Sequence, residues 1–519
     1  MKKTTKRLLS AALAVGMTVS VGVLAAGCGD KGKSGDKSYT YKTSTVSLGT
    51  NWNPHTWETN ADRSILSYLS SPFVDMSIKD SKNGVYQWVY EMATSVEDVT
   101  KAHQNDLTKY NVTLQEGKTA ETTDAGFVFE IKLNQNALWE NGEQIKADDY
   151  IYSMKQLLDS KMRNYRANLY YKGETAVAGG LAYYNSEAPI YAPVVPAYGE
   201  GTPDYSFDIT ANKTYINLTE QGMTVAPYSF SDLKDLGYVD GELYKKLSGT
   251  ANPYGFIEVT DSNKTDVLTI MDQYLKAFDT SIYTDEGKTQ INEELYKEFL
   301  FYNTGTFGDK YEYDDTVGCY KVDDYTIRYV TQTYIDYNNF MTSLTSTWLV
   351  YKPYYEANKD TTGALVTTRY GTSKDTTMSY GVYKLDSLQS EKQMVFVQNE
   401  NWYGFEKQSD GSLVSYTNFE VDGKKVRQYQ TTKIQIDVMD DNAAKQAFLK
   451  GNLSDWAPSA TDLSTYKSSD QLYQVDETYT MSLFFNTGVA ALQTMDASKG
   501  NKNSVVLSNK NFARRSVSR

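Results

Sequence analysis

The chain has 519 residues, 40% of them hydrophobic and 23% charged, with a formal net charge of −13. This is the balance of a soluble globular protein long enough for two or more domains, and its sign argues against nucleic acid and against charge-driven adsorption to anionic lipid, which both need a basic surface. Two cysteines, Cys28 and Cys319, are too few for a disulfide framework; with only His55 and His103 beside them, neither a zinc or copper site nor a histidine-assisted nucleophile is expected, and no cofactor is called for.

The first seven residues carry Lys2, Lys3, Lys6 and Arg7, and Leu8 to Leu24 is uncharged and apolar or small. These are the charged and apolar regions of a secretory signal; an uncleaved membrane anchor is the alternative, since the stretch approaches the lower length of a span. It ends in Leu24-Ala25-Ala26-Gly27-Cys28. Small residues before a Cys resemble the bacterial lipobox, which implies a diacylglycerol on the Cys28 thiol and cleavage that leaves Cys28 as the new N-terminus. Gly29 to Ser38 holds no apolar residue and is expected to be a flexible tether. With Cys28 lipidated, Cys319 is a lone thiol, expected to be buried and inert.

Beyond the tether, Ser44–Leu48 reads as a short strand and Ser64–Leu69 as the start of a helix. Phe127–Leu133 alternates as a strand, a turn follows at Asn141-Gly142, and Ala147-Asp148-Asp149 opens a helix with Ile151, Met154, Leu157 and Leu158 on its apolar face. The two Asp residues sit where the helix dipole favours negative charge, which accounts for them better than acid/base chemistry does. Residues 161–315 are rich in Tyr, Gly and Asn; Tyr, with 44 copies in the chain, suits half-exposed strand faces as well as recognition surfaces. Helices are expected over Thr265–Phe278 and Ile291–Tyr302. Strands are expected over Tyr325–Val330, Met394–Val397 and Lys433–Val438, the last followed by Asp440 and Asp441, which can cap a helix over Asn442–Lys450 that Gly451 ends. Strands and helices alternate throughout, so the class is α/β or α+β with more than one lobe.

Several stretches, in order, resemble the family 5 extracellular solute-binding proteins, the oligopeptide- and dipeptide-binding proteins of ABC importers. Asn51-Trp52-Asn53-Pro54 looks like that family's opening segment. Phe127–Leu133, Ala137–Glu143 and Ile145–Leu158 together are similar to its strand, aromatic turn and Ala-acid-Asp helix start, the most diagnostic of the matches. Val322–Ile327 resembles the next Asp-then-strand segment. Tyr380-Gly381-Val382-Tyr383 resembles a Gly-Pro-Tyr turn with Val382 in place of Pro, and Asn399-Glu400-Asn401-Trp402-Tyr403 an Asn-Pro-x-Tyr-Trp run with Glu400 in place of Pro. Ala443–Leu453 with Asp455 resembles a helix-Gly-x-x-Asp segment, and Phe484-Phe485-Asn486-Thr487 a strand before a long helix.

The resemblance implies an α/β, two-lobed fold of the periplasmic-binding-protein type II, with an extra subdomain in the first lobe and an incomplete second lobe. It divides the chain into a signal peptide (1–27), a tether (28–38), a first lobe with the inserted subdomain (39–425) and part of the second lobe (426–519). It also implies lobes that close on an extended peptide, pairing with its main chain as strand addition does. The expected function is capture of peptides by a monomeric, lipid-anchored protein on the outer face of the cell membrane, for an ABC permease whose ATPase works on the cytoplasmic side; no enzyme chemistry is required. Cys28 is the expected lipid acceptor. Tyr380, Gly381, Tyr383, Trp402 and Asn486 are the candidate ligand-binding residues, with turn and core packing the competing role for Tyr383 and Trp402. Alternatives are an oligosaccharide- or nickel-binding protein of the same fold, a surface adhesin, or a surface glycoside hydrolase. The hydrolase needs two carboxylates at a defined separation, and the pair considered for it, Asp148 and Asp149, is already accounted for by its place at a helix start. The family continues past the point where this sequence stops at Arg519, so a chain truncated or frame-shifted near residue 512 is expected, with the family's anionic residue for a peptide N-terminus beyond its end.

Overall fold

A computed structural model describes residues 39–194, 197–199, 202–204, 214–219, 228–277, 299–363, 365–416, 418–473 and 492. Cys28, the signal and tether segments, Asn486 and its strand lie outside the described residues. Those that are described fall into two compact units: residues 39–186 with 310–470, and residues 187–309 with the described residues from Gln471 onward. No helix among the described residues is long and apolar enough to cross a membrane.

The first unit is built on two four-stranded sheets. One has the order Thr40–Thr45, Lys433–Val438, Gln393–Gln398, Tyr383–Gln389. Its first pair is parallel, Thr40 opposite Lys433, and the others are antiparallel. The second, antiparallel throughout, has the order Cys319–Asp323, Thr326–Val330, Val128–Leu133, Ala93–Asp98. The alternation read at Phe127–Leu133 has its cause here. Phe129, Ile131 and Leu133 turn into the core, where Phe129 stacks on Phe340 with ring centroids 3.8 Å apart, while Glu130 pairs across the strands with Arg328 at 2.7 Å.

The helix Ala147–Leu157 starts where the sequence places it. The Asp149 carboxylate accepts the Lys146 N–H at 2.8 Å, as a capping residue does, and Asp148 pairs with Lys321 at 2.7 Å. Its buried face is Ala147, Tyr150, Met154 and Leu157, continued by Leu158; Ile151, expected inside, is half-buried, and the larger Tyr150 stacks on Phe73 instead. The helix Asn60–Leu69 is capped by Thr59 and Asp62 in a reciprocal box. Asp62 also accepts the N–H groups of Thr50 (2.8 Å) and Asn51 (3.0 Å). That commitment pulls residues 48–51 away from the sheet, so the first strand ends at Thr45 and begins at Thr40, several residues before the Ser44–Leu48 expected from the apolar pattern.

The second unit has its own core. Its sheet runs in the order Phe256–Glu258, Thr214–Asn217, Leu300–Phe307, Pro189–Pro193, all antiparallel. Ile216, Ile257 and Leu300 pack against Phe230, Leu233, Leu247, Val267 and Ile270 from the helices Phe230–Asp235, Gly241–Ser248 and Lys264–Lys276. The helix expected over Thr265–Phe278 is thus present within a residue or two. Of the one expected over Ile291–Tyr302, residues 291–298 lie outside the described set; Phe299 is helical, and from Leu300 the chain is a strand paired on both sides, so the expected end at Tyr302 falls three residues too far along. Aromatic residues fit a pleated surface with two neighbours, which draws Phe301 and Tyr302 into the strand.

Candidate functional site

Four of the sequence motifs meet at one junction in the first unit. The helix Asn60–Leu69 ends at Ser70 in extended conformation, which leaves the Leu69 carbonyl to be satisfied from outside. The N–H groups of Tyr380 and Gly381 both donate to it at 3.0 Å, and the Ser379 hydroxyl lies at the same distance. The aromatic turn joins next: Glu140 N–H donates to the Ser379 carbonyl at 2.8 Å, and Trp139 stands edge-on to Tyr380 at 5.3 Å. From the Asn-Trp run, the Asn399 amide donates to the Gly381 carbonyl (3.0 Å) and the Asn401 amide to the Glu140 carbonyl (2.8 Å). From the opening segment, the Trp52 ring N–H donates to the Thr377 hydroxyl at 2.8 Å.

This places the residues singled out from the sequence. Tyr380, Tyr383 and Trp402 are 4%, 6% and 1% exposed. Tyr383 donates to the Thr431 carbonyl at 3.1 Å, and Trp402 packs on Tyr403, Phe405 and Tyr429. Tyr383 and Trp402 share one core cluster, while Tyr380 belongs to a neighbouring one with Trp139. Gly381 runs against the end of the first helix: a Cβ there would lie 2.6 Å from the Ser70 nitrogen and 2.7 Å from the Leu69 carbonyl carbon. Glu400, standing where the related motif has Pro, pairs at 2.6 Å with Lys384 of the adjacent strand, a link the sequence gives no reason to expect.

The histidine and the thiol are settled by burial. The Trp348 carbonyl can only accept, so His55 Nε2 carries the proton (2.8 Å) and Nδ1 accepts from the Tyr355 hydroxyl (3.0 Å). Burial pushes the imidazole down to about 4, so it is neutral. Cys319 is fully buried, and burial pushes its thiol up to about 12, an unreactive state. Among the described residues no group of His, Cys, Asp and Glu could hold a metal ion.

A second cluster lies at the outer edge of the first strand and was flagged by sequence only through the motif around Asp455. Lys42 N–H donates to the Ser454 hydroxyl (3.0 Å), and Ser454 N–H returns to the Lys42 carbonyl (2.7 Å). This pairing sets Asp455 beside Tyr41 and Thr43, whose hydroxyls hydrogen-bond its carboxylate. Its Oδ1 is buried with no hydrogen bond. Burial raises the Asp455 pKa against the opposing pull of those hydroxyls. Tyr68 adds a half-buried ring nearby, backed edge-on by Tyr383 at 6.2 Å. The result is a half-buried carboxylate among phenols, one oxygen of which has no hydrogen-bond partner.

Two consequences can be measured. Gly381→Ala leaves no room for the methyl group against backbone, and is expected to lower stability by about 1–3 kcal/mol in chemical denaturation. The second concerns Glu91, whose carboxylate is 6% exposed and accepts from the Tyr403 hydroxyl. Burial raises it to about 7, with Asp75 adding to the shift. The folded protein therefore holds this proton more tightly than the unfolded chain. The associated stability is full below the unfolded value of roughly 4.3 and is lost as pH rises through about 7. In thermal melts Glu91→Gln is expected to gain on the parent steadily from pH 5 to pH 8, and a constant difference would refute the assignment.

The comparisons with known proteins accord with the class of fold. A sequence model of the bacterial extracellular solute-binding proteins, family 5, matches residues 87–499. Among solved structures, the chain is similar to the substrate-binding domain of an oligopeptide ABC transporter from Bacillus anthracis (10% identity, 84% of this chain and 48% of that one, TM-score 0.42). It is also similar to the murein tripeptide binding protein of Escherichia coli (11% identity, 84% and 49%, TM-score 0.41) and to a peptide-bound oligopeptide-binding protein of Listeria monocytogenes (11% identity, 84% and 49%, TM-score 0.38). This chain thus spans about half the length of the solved chains it matches. No curated protein matches it.

Proposed function

Since the chain belongs to the bacterial extracellular solute-binding proteins of family 5, we propose that it captures peptides outside the cell and presents them to an ABC importer, held at the membrane by a lipid on Cys28. The observation that carries this reading is the family match over residues 87–499, which takes in the aromatic turn, the Tyr380–Tyr383 turn and the Asn-Trp run that the junction ties together. In this reading Asp455, with Tyr41, Thr43 and Tyr68 around it, takes the peptide's N-terminal ammonium in place of the anionic residue that the resemblance puts beyond Arg519. Tyr380, Gly381, Tyr383 and Trp402 act behind the ligand, holding the strand and helix ends from which the cluster is built. Residues 426–519 contribute to the second lobe, and binding is reversible, without covalent chemistry.

Calorimetry with the full chain tests the reading against its rivals. Short peptides are expected to bind, and oligosaccharides and Ni²⁺ to give no heat. N-acetylated peptides and the Asp455→Asn variant are each expected to lose at least tenfold in affinity, the scale on which an unpaired buried charge is felt. Equal affinity for free and acetylated peptides would remove Asp455 from the site; binding of sugars alone would move the protein to the oligosaccharide branch. Native mass spectrometry of protein extracted from its own membrane is expected to show a diacylglycerol on Cys28, and a mass without lipid would remove the anchor.

A further inference from the structure

The second unit carries a surface for which the transport reading has no use. One face of its sheet is committed to the helices through Ile216, Ile257 and Leu300. Side chains alternate along strands, so Tyr215, Phe256 and Phe301 stand on the other face, joined from the edge strand by Tyr191, which is opposite Asn303 in register. All four are partly exposed. They form one contiguous set: Tyr191 stacks on Phe256 with centroids 3.6 Å apart, and meets Tyr215 edge-on at 5.2 Å, as Phe256 meets Phe301. Rings from the two outermost strands touch, so the sheet curls toward this face and gathers them into a single patch.

Charge identifies what such a patch takes. Glu258 lies on the same face, directly opposite Tyr215, exposed and in no ion pair among the described residues. None of the four strands carries a Lys or Arg. Residues 187–309 as a whole hold twenty Asp or Glu against eight Lys and no Arg, which is −12 of the chain's −13. Aromatic faces attract cations through the ring quadrupole. A nearby carboxylate supplies the counter-ion, and the net field of the insertion raises the local concentration of positive ligands.

We infer that this aromatic face is a docking surface for a cationic peptide segment, with Lys or Arg side chains over the rings and Glu258 as their counter-ion. It requires only the surface of this unit and holds whether or not the chain serves a transporter.

The test is titration of the full chain with an arginine–serine peptide, and with a glutamate–serine and an all-serine peptide of the same length. The basic peptide alone is expected to bind, more weakly as salt rises. Glu258→Gln, an exposed substitution, and Tyr191→Ala are each expected to weaken it by about two- to tenfold, and Asp455→Asn to leave it unchanged. Four outcomes overturn the inference. Equal binding of all three peptides, or binding of the basic peptide untouched by Glu258→Gln and Tyr191→Ala, would reduce it to diffuse attraction. Loss of the basic peptide in Asp455→Asn would place that peptide in the first unit. Binding of a neutral oligosaccharide that Tyr191→Ala abolishes would give the face to sugars. Failure of peptide binding at Asp455 alone touches only the transport reading.

Discussion

The Leu69 carbonyl is the point on which the first unit turns. A helix that ends inside a protein brings unsatisfied carbonyls with it, and each must find a donor or cost free energy on the scale of a lost hydrogen bond. Here the donors are the backbone N–H groups of Tyr380 and Gly381, from a segment more than 300 residues further along the chain. Because that segment is fixed against the helix end, its own carbonyls at Ser379 and Gly381 face the aromatic turn and the Asn-Trp run, and each finds a partner there. Four stretches scattered from Trp52 to Trp402 are thereby held in one place. The absence of a side chain at Gly381 is a condition of this contact, since a Cβ would fall within 3 Å of the helix backbone.

What the sequence revealed and what it hid follow from this arrangement. The strand over Val128–Leu133, the helix from Ala147 and the strand Lys433–Val438 were legible because each rests on local signals: alternation, an acidic first turn, a run bounded by a cap. The resemblance located the motifs and the family, but not what each residue does. Tyr383 and Trp402 stand in core positions because of neighbours such as Tyr68 and Tyr429, which no local pattern connects to them. The pairing of Glu400 with Lys384 replaces a proline-stiffened turn with an ion pair, and the partner becomes visible only once the strands are side by side. The same holds for Asp455: its free oxygen exists because Ser454 pairs with the first strand, a contact spanning 412 residues. At Leu300–Tyr302, the end of a stretch with helical spacing, two strand partners set the boundary instead.

The division of charge separates the two units as sharply as their cores do. Outside residues 187–309 the sequence is nearly neutral, while the insertion carries almost the whole excess of acid. A subdomain with its own core can tolerate such a load, because its stability comes from Phe230, Tyr274, Phe299 and their buried neighbours. Acidic surface on this unit therefore costs the first unit's packing nothing, and the insertion is free to acquire a surface character of its own.

The parallel pairing of Thr40–Thr45 with Lys433–Val438 has a bearing on the life of the chain before it is folded. The strand nearest the N-terminus is among the first segments to leave the ribosome, yet its partner is made 393 residues later. Closing so long a loop is slow, and until it closes the first strand has no neighbour in its sheet. In the reading proposed above, in which the chain is exported, such a delay is useful. On that reading, export machinery that threads extended polypeptide would meet an N-terminal portion whose sheet cannot yet assemble, and the sheet would be completed only after Val438 has emerged.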